Sequence, residues 1–229
     1  MNITSEIRAE LLSQGADLAG FGDLSALPED VRNGMPVGVS VAVKYPKEVI
    51  RGIAELPTAE YFEWYGMLNE KLDALVTHGA ELLRAQGFRA MAQTRAAIGA
   101  NYDVSLPHKT VATRAGIGWI GKCALLVTEE YGSMIRLSSI LTDAPLDCAV
   151  PIDQSKCGGC NICAKECPAK AVSGKLWHKG LAREDFFDAI ACCETAKERS
   201  KLGFGGGETI CGKCIEVCPY TKSYLNGAD

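Results

Sequence analysis

The residues best placed to do chemistry are cysteines that fall in two runs toward the C-terminus. The first reads Cys157-Gly-Gly-Cys160-Asn-Ile-Cys163-Ala-Lys-Glu-Cys167-Pro168, the second Cys211-Gly-Lys-Cys214-Ile-Glu-Val-Cys218-Pro219. Three thiolates spaced by two residues wrap a tight loop around three corners of an iron–sulfur cubane. A fourth, past the loop on a short helix, reaches a second cubane. The prolines at 168 and 219 can end the local turn, since proline lacks an N–H. The second run lacks the middle cysteine of the first, and Cys192 or Cys193 upstream can supply it.

The ligands then close on two 4Fe–4S clusters. Cys157, Cys160, Cys163 and the crossing Cys218 serve one. Cys211, Cys214, the crossing Cys167 and either Cys192 or Cys193 serve the other. Neighbouring helical residues point about 100° apart, so only one of that pair faces the cluster, and spacing alone leaves both open. C-x2-C pairs also build tetrahedral zinc sites. Zinc has no need of a C-x2-C-x2-C-x3-C-P run with a near-repeat ending in Cys-Pro, so the pattern points to a bacterial two-cluster ferredoxin module.

The elements around it divide at about residue 150. The 229-residue chain has 11 cysteines, none before Cys123. Residues 1–150 read as an α/β (α+β) cofactor or substrate domain, and 151–229 as the double-cluster domain. Helices are expected over 3–14, 58–86, 108–115 and within 181–202. Strands are expected at 17–21, 37–43 and 89–93, with 125–128 and 134–141 joined by a turn at Tyr131-Gly132-Ser133. Gly203 to Gly207 reads as a flexible turn. Tyr61, Phe62, Trp64 and Tyr65 form an aromatic group whose first reading is core packing. His78 reads as an ordinary helix residue, Cys123 as a small buried hydrophobe and Cys148 as structural.

A net charge of −4, with 47% hydrophobic and 23% charged residues, excludes a disordered tail or a fibre and gives no basic field for nucleic acid. No apolar stretch approaches the roughly 20 residues of a membrane span. The start, MNITSEIRAELLSQ, is an amphipathic helix pattern without the basic flank and apolar core of a signal peptide. The expectation is a cytoplasmic protein, in a compartment where cysteines serve metal or redox chemistry more than disulfides.

Upstream of the cysteines lies Ala115-Gly-Ile-Gly-Trp-Ile-Gly-Lys122. Its glycines allow backbone to approach a ligand, freed N–H groups can cradle anionic or amide groups, and Lys122 adds a positive charge. It follows a helix pattern rather than a strand, so it is neither a Walker loop nor a dinucleotide fingerprint, and taken alone it reads as a ligand loop or, more readily, as a tight packing turn.

Residues 107–146, PHKTVATRAGIGWIGKCALLVTEEYGSMIRLSSILTDAPL, followed by SKCGGCNICAKECP and ICGKCIEVCPY, resemble epoxyqueuosine reductases. The layout is also similar to the catalytic core of reductive dehalogenases. The resemblance implies a nitroreductase-like N-terminal fold that holds a base-off cobalamin, with the clusters passing electrons to its cobalt. Flavin is the alternative cofactor. Gly116, Gly118, Trp119, Gly121 and Lys122 are then expected beside the corrin, with Gly132, Ser133 and Thr142 lining the same cleft. The family pattern leans to Cys192 over Cys193. The family's upstream proton-donating aspartate has its nearest match, out of register, in Asp103. His108 stands where a glutamate–arginine pair usually follows, and is a second candidate donor. Relatives continue into tRNA-gripping helical repeats. This sequence stops soon after Cys218, so nucleic acid is not the expected substrate. The resemblance implies a reductase of a small substrate, fed by a low-potential donor such as ferredoxin or flavodoxin. The alternative is an electron-transfer protein that reduces a partner corrinoid or flavin protein.

Overall fold

The computed structural model describes residues 2–97 and 106–227. In chain order these form α1 (Ile3–Ser13), β1 (Leu18–Asp23), β2 (Val37–Lys44), α2 (Lys47–Gly52), α3 (Ala59–Ala85), β3 (Ala90–Ala92), α4 (His108–Arg114), β4 (Trp119–Ile120), β5 (Leu126–Val127), β6 (Ile135–Thr142), α5 (Ile162–Glu166), α6 (Ala189–Phe204), α7 (Lys213–Glu216) and α8 (Pro219–Asn226). Short 3-10 turns lie at Arg95–Ala97 and Arg183–Asp185. Among the described residues, no helix is long and apolar enough to cross a membrane.

The chain divides into two units. The first comprises residues 1–44, 68–118 and 136–152, the second 45–67, 119–135 and 153–229. The single break expected near residue 150 is therefore only one of several crossings, because two upstream segments pack with the cysteine module.

The first unit is built on a four-stranded sheet ordered β1-β2-β6-β3. β2 is buried from Val37 to Val43, and its sequence alternates valines with the small residues Gly38, Ser40 and Ala42. It pairs antiparallel with β1, Leu18 opposite Ala42 and Asp23 opposite Val37. α1 starts where the Asn2 side chain accepts the Ser5 N–H at 2.9 Å, and it buries Thr4, Ile7 and Leu11 at helical spacing. The part of α3 in this unit buries Leu68, Leu72, Leu75, Val76, Ala80 and Leu83. His78 is the ordinary helix residue expected, its Nε2 3.0 Å from Glu10.

α4 lies close on β1 and β2 because the strands carry glycines beneath it. A Cβ at Gly22 would come within 2.5 Å of the Arg114 carbonyl carbon, and one at Gly38 within 2.7 Å of Val111. The helix ends as glycine dictates. Gly116 takes φ +68°, its N–H bonds Thr113 O, and the Ile117 N–H bonds Ala112 O.

In the second unit β4 and β5 form a separate antiparallel ribbon. The strands at 125–128 and 134–141 are thus not hairpin partners, since β6 joins the sheet of the first unit. The turn between them is closed by Thr128 and Gly132. Residues 45–67 cover the second cysteine run. Tyr61 packs on Tyr45 with ring centroids 5.2 Å apart, and Phe62 stacks on Phe204 at 5.6 Å. Tyr61 is therefore core of this unit, while Phe62, Trp64 and Tyr65 are half-buried. α6 extends through Gly203 and Phe204, and only at Gly205, φ +78°, does the expected flexible turn begin.

Candidate metal centre

Local backbone explains how each cysteine is aimed. Cys157 and Cys160 bracket a turn in which the Cys160 N–H bonds Cys157 O at 3.1 Å, and Cys163 sits on α5. Cys167 caps α5 in extended conformation, which carries it away from that loop. The following chain, through an antiparallel bridge between Val172 and Phe187, meets the start of α6. There Asp188 caps the helix, accepting the N–H groups of Ile190 and Ala191 at 3.1 and 3.0 Å, and so fixes Cys192 in its first turn. Cys218 is the N-cap of α8. Pro219 occupies the first helical position, so it begins a helix rather than ending a turn.

Cys192 has Cys167 and Cys211 close by. Burial first, and then these sulfurs with Cys193 and Asp188, push its thiol up to about 11. Cys192, with Cys167, Cys163 and Cys214, belongs to one buried apolar cluster. Cys218 lies beside Cys157. Burial raises its thiol, the N–H groups of Thr221 and Tyr220 work against that, and Cys157 adds to it. All eleven cysteines are free thiols. Sulfurs gathered under such burial are unfavourable as bare thiolates, and cationic iron reverses that balance. Among the described residues no three His, Cys, Asp or Glu side chains converge on one ion position. Cys163 packs with Cys167, Cys192 and Cys214, while Cys218 lies beside Cys157.

A second observation fits anionic clusters. Lys122 is 4% exposed, and its Nζ donates to Asn161 Oδ1 at 2.8 Å, an uncharged partner inside the first cysteine loop. A buried ammonium is costly without a counter-charge. A cluster carried by thiolates supplies one.

The last residues of the glycine stretch lie on this loop. A Cβ at Gly121 would come within 2.8 Å of Val127 Cγ2, while Cys157 Sγ lies at an ordinary contact distance of 3.6 Å. Cys123, 4% exposed, is buried in the cluster against which Cys163 and Cys214 pack. Trp119 is fully buried and meets Tyr220 edge-on at 5.0 Å.

The expected N–H cradle is largely absent, because those groups bond the protein itself. Gly116 and Ile117 close α4, and the Gly121 N–H bonds Leu125 O at 2.8 Å. Gly116 and Gly118 belong to the first unit, Trp119, Gly121 and Lys122 to the second. Gly132 and Ser133 lie in the second unit against Thr221, whose Oγ1 accepts the Ser133 N–H at 3.1 Å. Thr142 is in the first unit, fully buried. Its hydroxyl donates to Arg89 O at 2.7 Å and accepts the Ala144 N–H at 3.1 Å, so it is spent on the end of β6.

Asp103 lies outside the described residues. His108 departs from its expected role as a donor charged near neutral pH. Burial and then the Arg136 charge lower it to about 4, and its Nδ1 is 2.9 Å from Ser139 Oγ on β6. At neutral pH it is an uncharged ring packed on the sheet. Spacing did not single out Cys123, Asn161 or Thr221. The available signals were the placement of Cys123 directly after Lys122 and of Thr221 just past the Cys-Pro pair.

Residues 156–221 match the family described as "4Fe-4S double cluster binding domain". The chain is 34% identical over 169 residues to an epoxyqueuosine reductase of Listeria monocytogenes, covering 71% of this chain and 40% of that protein. A crystal structure of epoxyqueuosine reductase with a tRNA-Tyr epoxyqueuosine-modified stem loop superposes with TM-score 0.64 at 23% identity, over 96% of this chain and 65% of the other. A reductive dehalogenase, whose structure was reported as suggesting a mechanism for B12-dependent dehalogenation, gives TM-score 0.69 at 18% identity, over 93% and 31%. The structural likenesses establish the fold, and the chain spans less than half the length of the Listeria relative. Over most of its length the chain is similar to part of the epoxyqueuosine reductases, and its cysteine module matches the 4Fe-4S double cluster family.

Proposed function

We propose that the chain is the redox core of a corrinoid-linked reductase, in which two 4Fe–4S clusters relay electrons from a low-potential donor such as ferredoxin or flavodoxin toward a small substrate. The carrying observation is the turn Gly121-Lys122-Cys123, laid on Cys157, Asn161 and Cys163. The cysteines hold iron, Lys122 offsets cluster charge, and the Trp119–Tyr220 pair keeps water from the back of the turn. Ser133 Oγ and Trp119 Nε1 are buried without a protein partner, two donors suited to a group rich in amide acceptors. When bound, cobalamin supplies a low-potential cobalt centre for electron transfer to substrate; the protein's part is binding, orientation and electrostatics. The nitroreductase-like description of the first unit and the roles of Gly116, Gly118, Gly132 and Ser133 beside the corrin belong to this proposal.

Anaerobic titration with cob(II)alamin tests it. Tight binding with a base-off change in the visible spectrum is expected, and no spectral change contradicts it. Bound flavin, released on denaturation, would instead select the flavin variant. One feature favours the second reading, a protein that hands electrons to a partner corrinoid or flavin protein. The first cysteine loop is open to solvent, and a shallow basin beside it is lined by Asn161, Lys165 and Lys175, as docking of an acidic partner requires. Reduction of a partner's cobalt without conversion of any small molecule would favour that reading.

A further inference from the structure

The second unit carries a basic face that its own fold leaves unspent. Residues 156–179 hold five lysines against one acid, Glu166, in a chain whose net charge is −4. Lys156 is paired with Glu129 at 2.6 Å. Lys165, Lys170 and Lys175 are exposed, and among the described residues none of the three has a carboxylate partner. Lys170 Nζ donates to the Lys165 carbonyl at 3.2 Å, which sets it beside the end of α5. Lys165 and Lys175 face each other across a basin also lined by Asn161, Ala164, Ser173 and Gly174. A Cβ on Gly174, φ +86°, would meet Asn161 Oδ1 at 3.2 Å, so the loop bearing Lys175 rests on the first cysteine loop. Ile162 and Leu176, next in sequence to Asn161 and Lys175, are exposed apolar side chains. Gly158 and Gly159 are exposed too, with no protein atom within 4 Å of an added Cβ, so that side of the loop is uncrowded. α5 itself contains Cys163 and is capped by Cys167, one expected ligand of each cluster.

We propose that this face is the electron entrance, where an acidic protein that carries a low-potential electron docks over α5. The inference rests on the two-cluster relay and names its point of entry. Unpaired lysines around a small apolar centre suit a brief encounter, because charge complementarity raises the association rate more than it slows release. Contacts of this kind are small, which a basin flanked by Ile162 and Leu176 can provide. One electron leaves the reduced carrier and enters one cluster, and no bond is made or broken. Local positive charge on an otherwise acidic chain steers the carrier to this side.

Stopped-flow reduction of reconstituted protein, with iron and sulfide counted first, tests the entrance. The probe is a reduced flavodoxin of net negative charge, and photoreduced deazariboflavin is the small neutral reductant for comparison. The second-order rate of cluster bleaching by flavodoxin should fall about tenfold when Lys165→Glu and Lys175→Glu are combined. It should fall similarly for native protein between about 0.01 and 1 M salt, as the screening length shrinks from about 30 to 3 Å. The deazariboflavin rate should stay the same. Lys197→Glu with Lys201→Glu, an equal charge change on exposed residues of α6, should lose much less. Equal losses in the two pairs, or an unchanged flavodoxin rate in the first, overturn the proposal. Carbodiimide, which joins lysines to carboxylates in contact, needs no variant. Links from native protein to flavodoxin should map to Lys165, Lys170 or Lys175, and links confined to other lysines overturn the assignment. A first pair that accepts electrons normally but passes them slowly to a corrinoid partner would make the face an exit, which also overturns it. Flavodoxin that cannot reduce fully assembled native protein contradicts the relay itself. Native protein reduced well by flavodoxin, with these lysines immaterial, contradicts only the docking face.

Discussion

Lys122 Nζ, itself buried, lies 2.8 Å from Oδ1 of the exposed Asn161, which ties the glycine turn to the loop between Cys160 and Cys163. The bond orients an ammonium that, among the described residues, has no carboxylate partner. Lys122→Met should therefore act in opposite directions on the empty and the loaded protein. Without iron, removing an uncompensated buried cation should leave stability unchanged or raise it by about 1–3 kcal/mol, read from denaturant midpoints. With clusters in place, losing a nearby positive charge should lower the midpoint potential of the cluster on Cys157, Cys160, Cys163 and Cys218. A raised potential would mean that the ammonium does not face the cluster.

The adjacent cysteines of α6 should separate cleanly. Cys192 neighbours Cys167 and Cys211 and packs in the buried cluster with Cys214. Cys192→Ala should lose the second 4Fe–4S cluster, about half of the iron. Cys193→Ala should keep the full complement. Iron and sulfide analysis of anaerobic material decides the matter, and the reverse pattern would reassign the ligand.

Gly132 takes φ +58°, and a Cβ there would run into the backbone of Thr221. Gly132→Ala should cost about 2–4 kcal/mol, from left-handed strain and a displaced α8 together. Gly87, at φ +89° with open space around it, isolates the strain. Gly87→Ala should cost only about 1 kcal/mol. Because Thr221 follows Cys218 in the same helix turn, Gly132→Ala should also assemble its first cluster poorly while Gly87→Ala does not. Chemical denaturation and iron content measure both effects.

His108 predicts a pH dependence of stability. Its folded value is about 4 against an ordinary 6.5, so below pH 6.5 the unfolded chain takes up a proton that the folded chain refuses. Its stabilising contribution is complete above that range and is lost as pH falls from about 6.5 to 4. The loss is on the order of 3 kcal/mol. His108→Gln should flatten this part of the profile. An unchanged slope would show that the ring is not buried neutral.

The cysteine pattern made the cluster module legible because each thiolate must meet iron at a fixed reach along a short chain. The long periodic run that became α3 and the β-branched run that became β2 were equally readable. What stayed hidden depends on packing between distant segments. Tyr61 covers the turn at Gly212, and Pro57 backs onto Gly203, so residues 45–67 join the cysteine module, which no local pattern announces. The stretch from Gly116 to Lys122 looked like one ligand loop, but its parts do separate work. Gly116 stops a helix, Gly121 leaves room for Val127, and Lys122 meets a loop amide. His108 looked suited to charge near neutral pH because sequence carries no record of the Arg136 charge beside it or of its burial.

Iron and acid-labile sulfide counted per chain, after oxygen-free purification and reconstitution, test the account most directly. Eight of each, with two reduced 4Fe–4S signals in electron paramagnetic resonance, is the predicted result. Bound zinc in their place, or iron without sulfide, would contradict it.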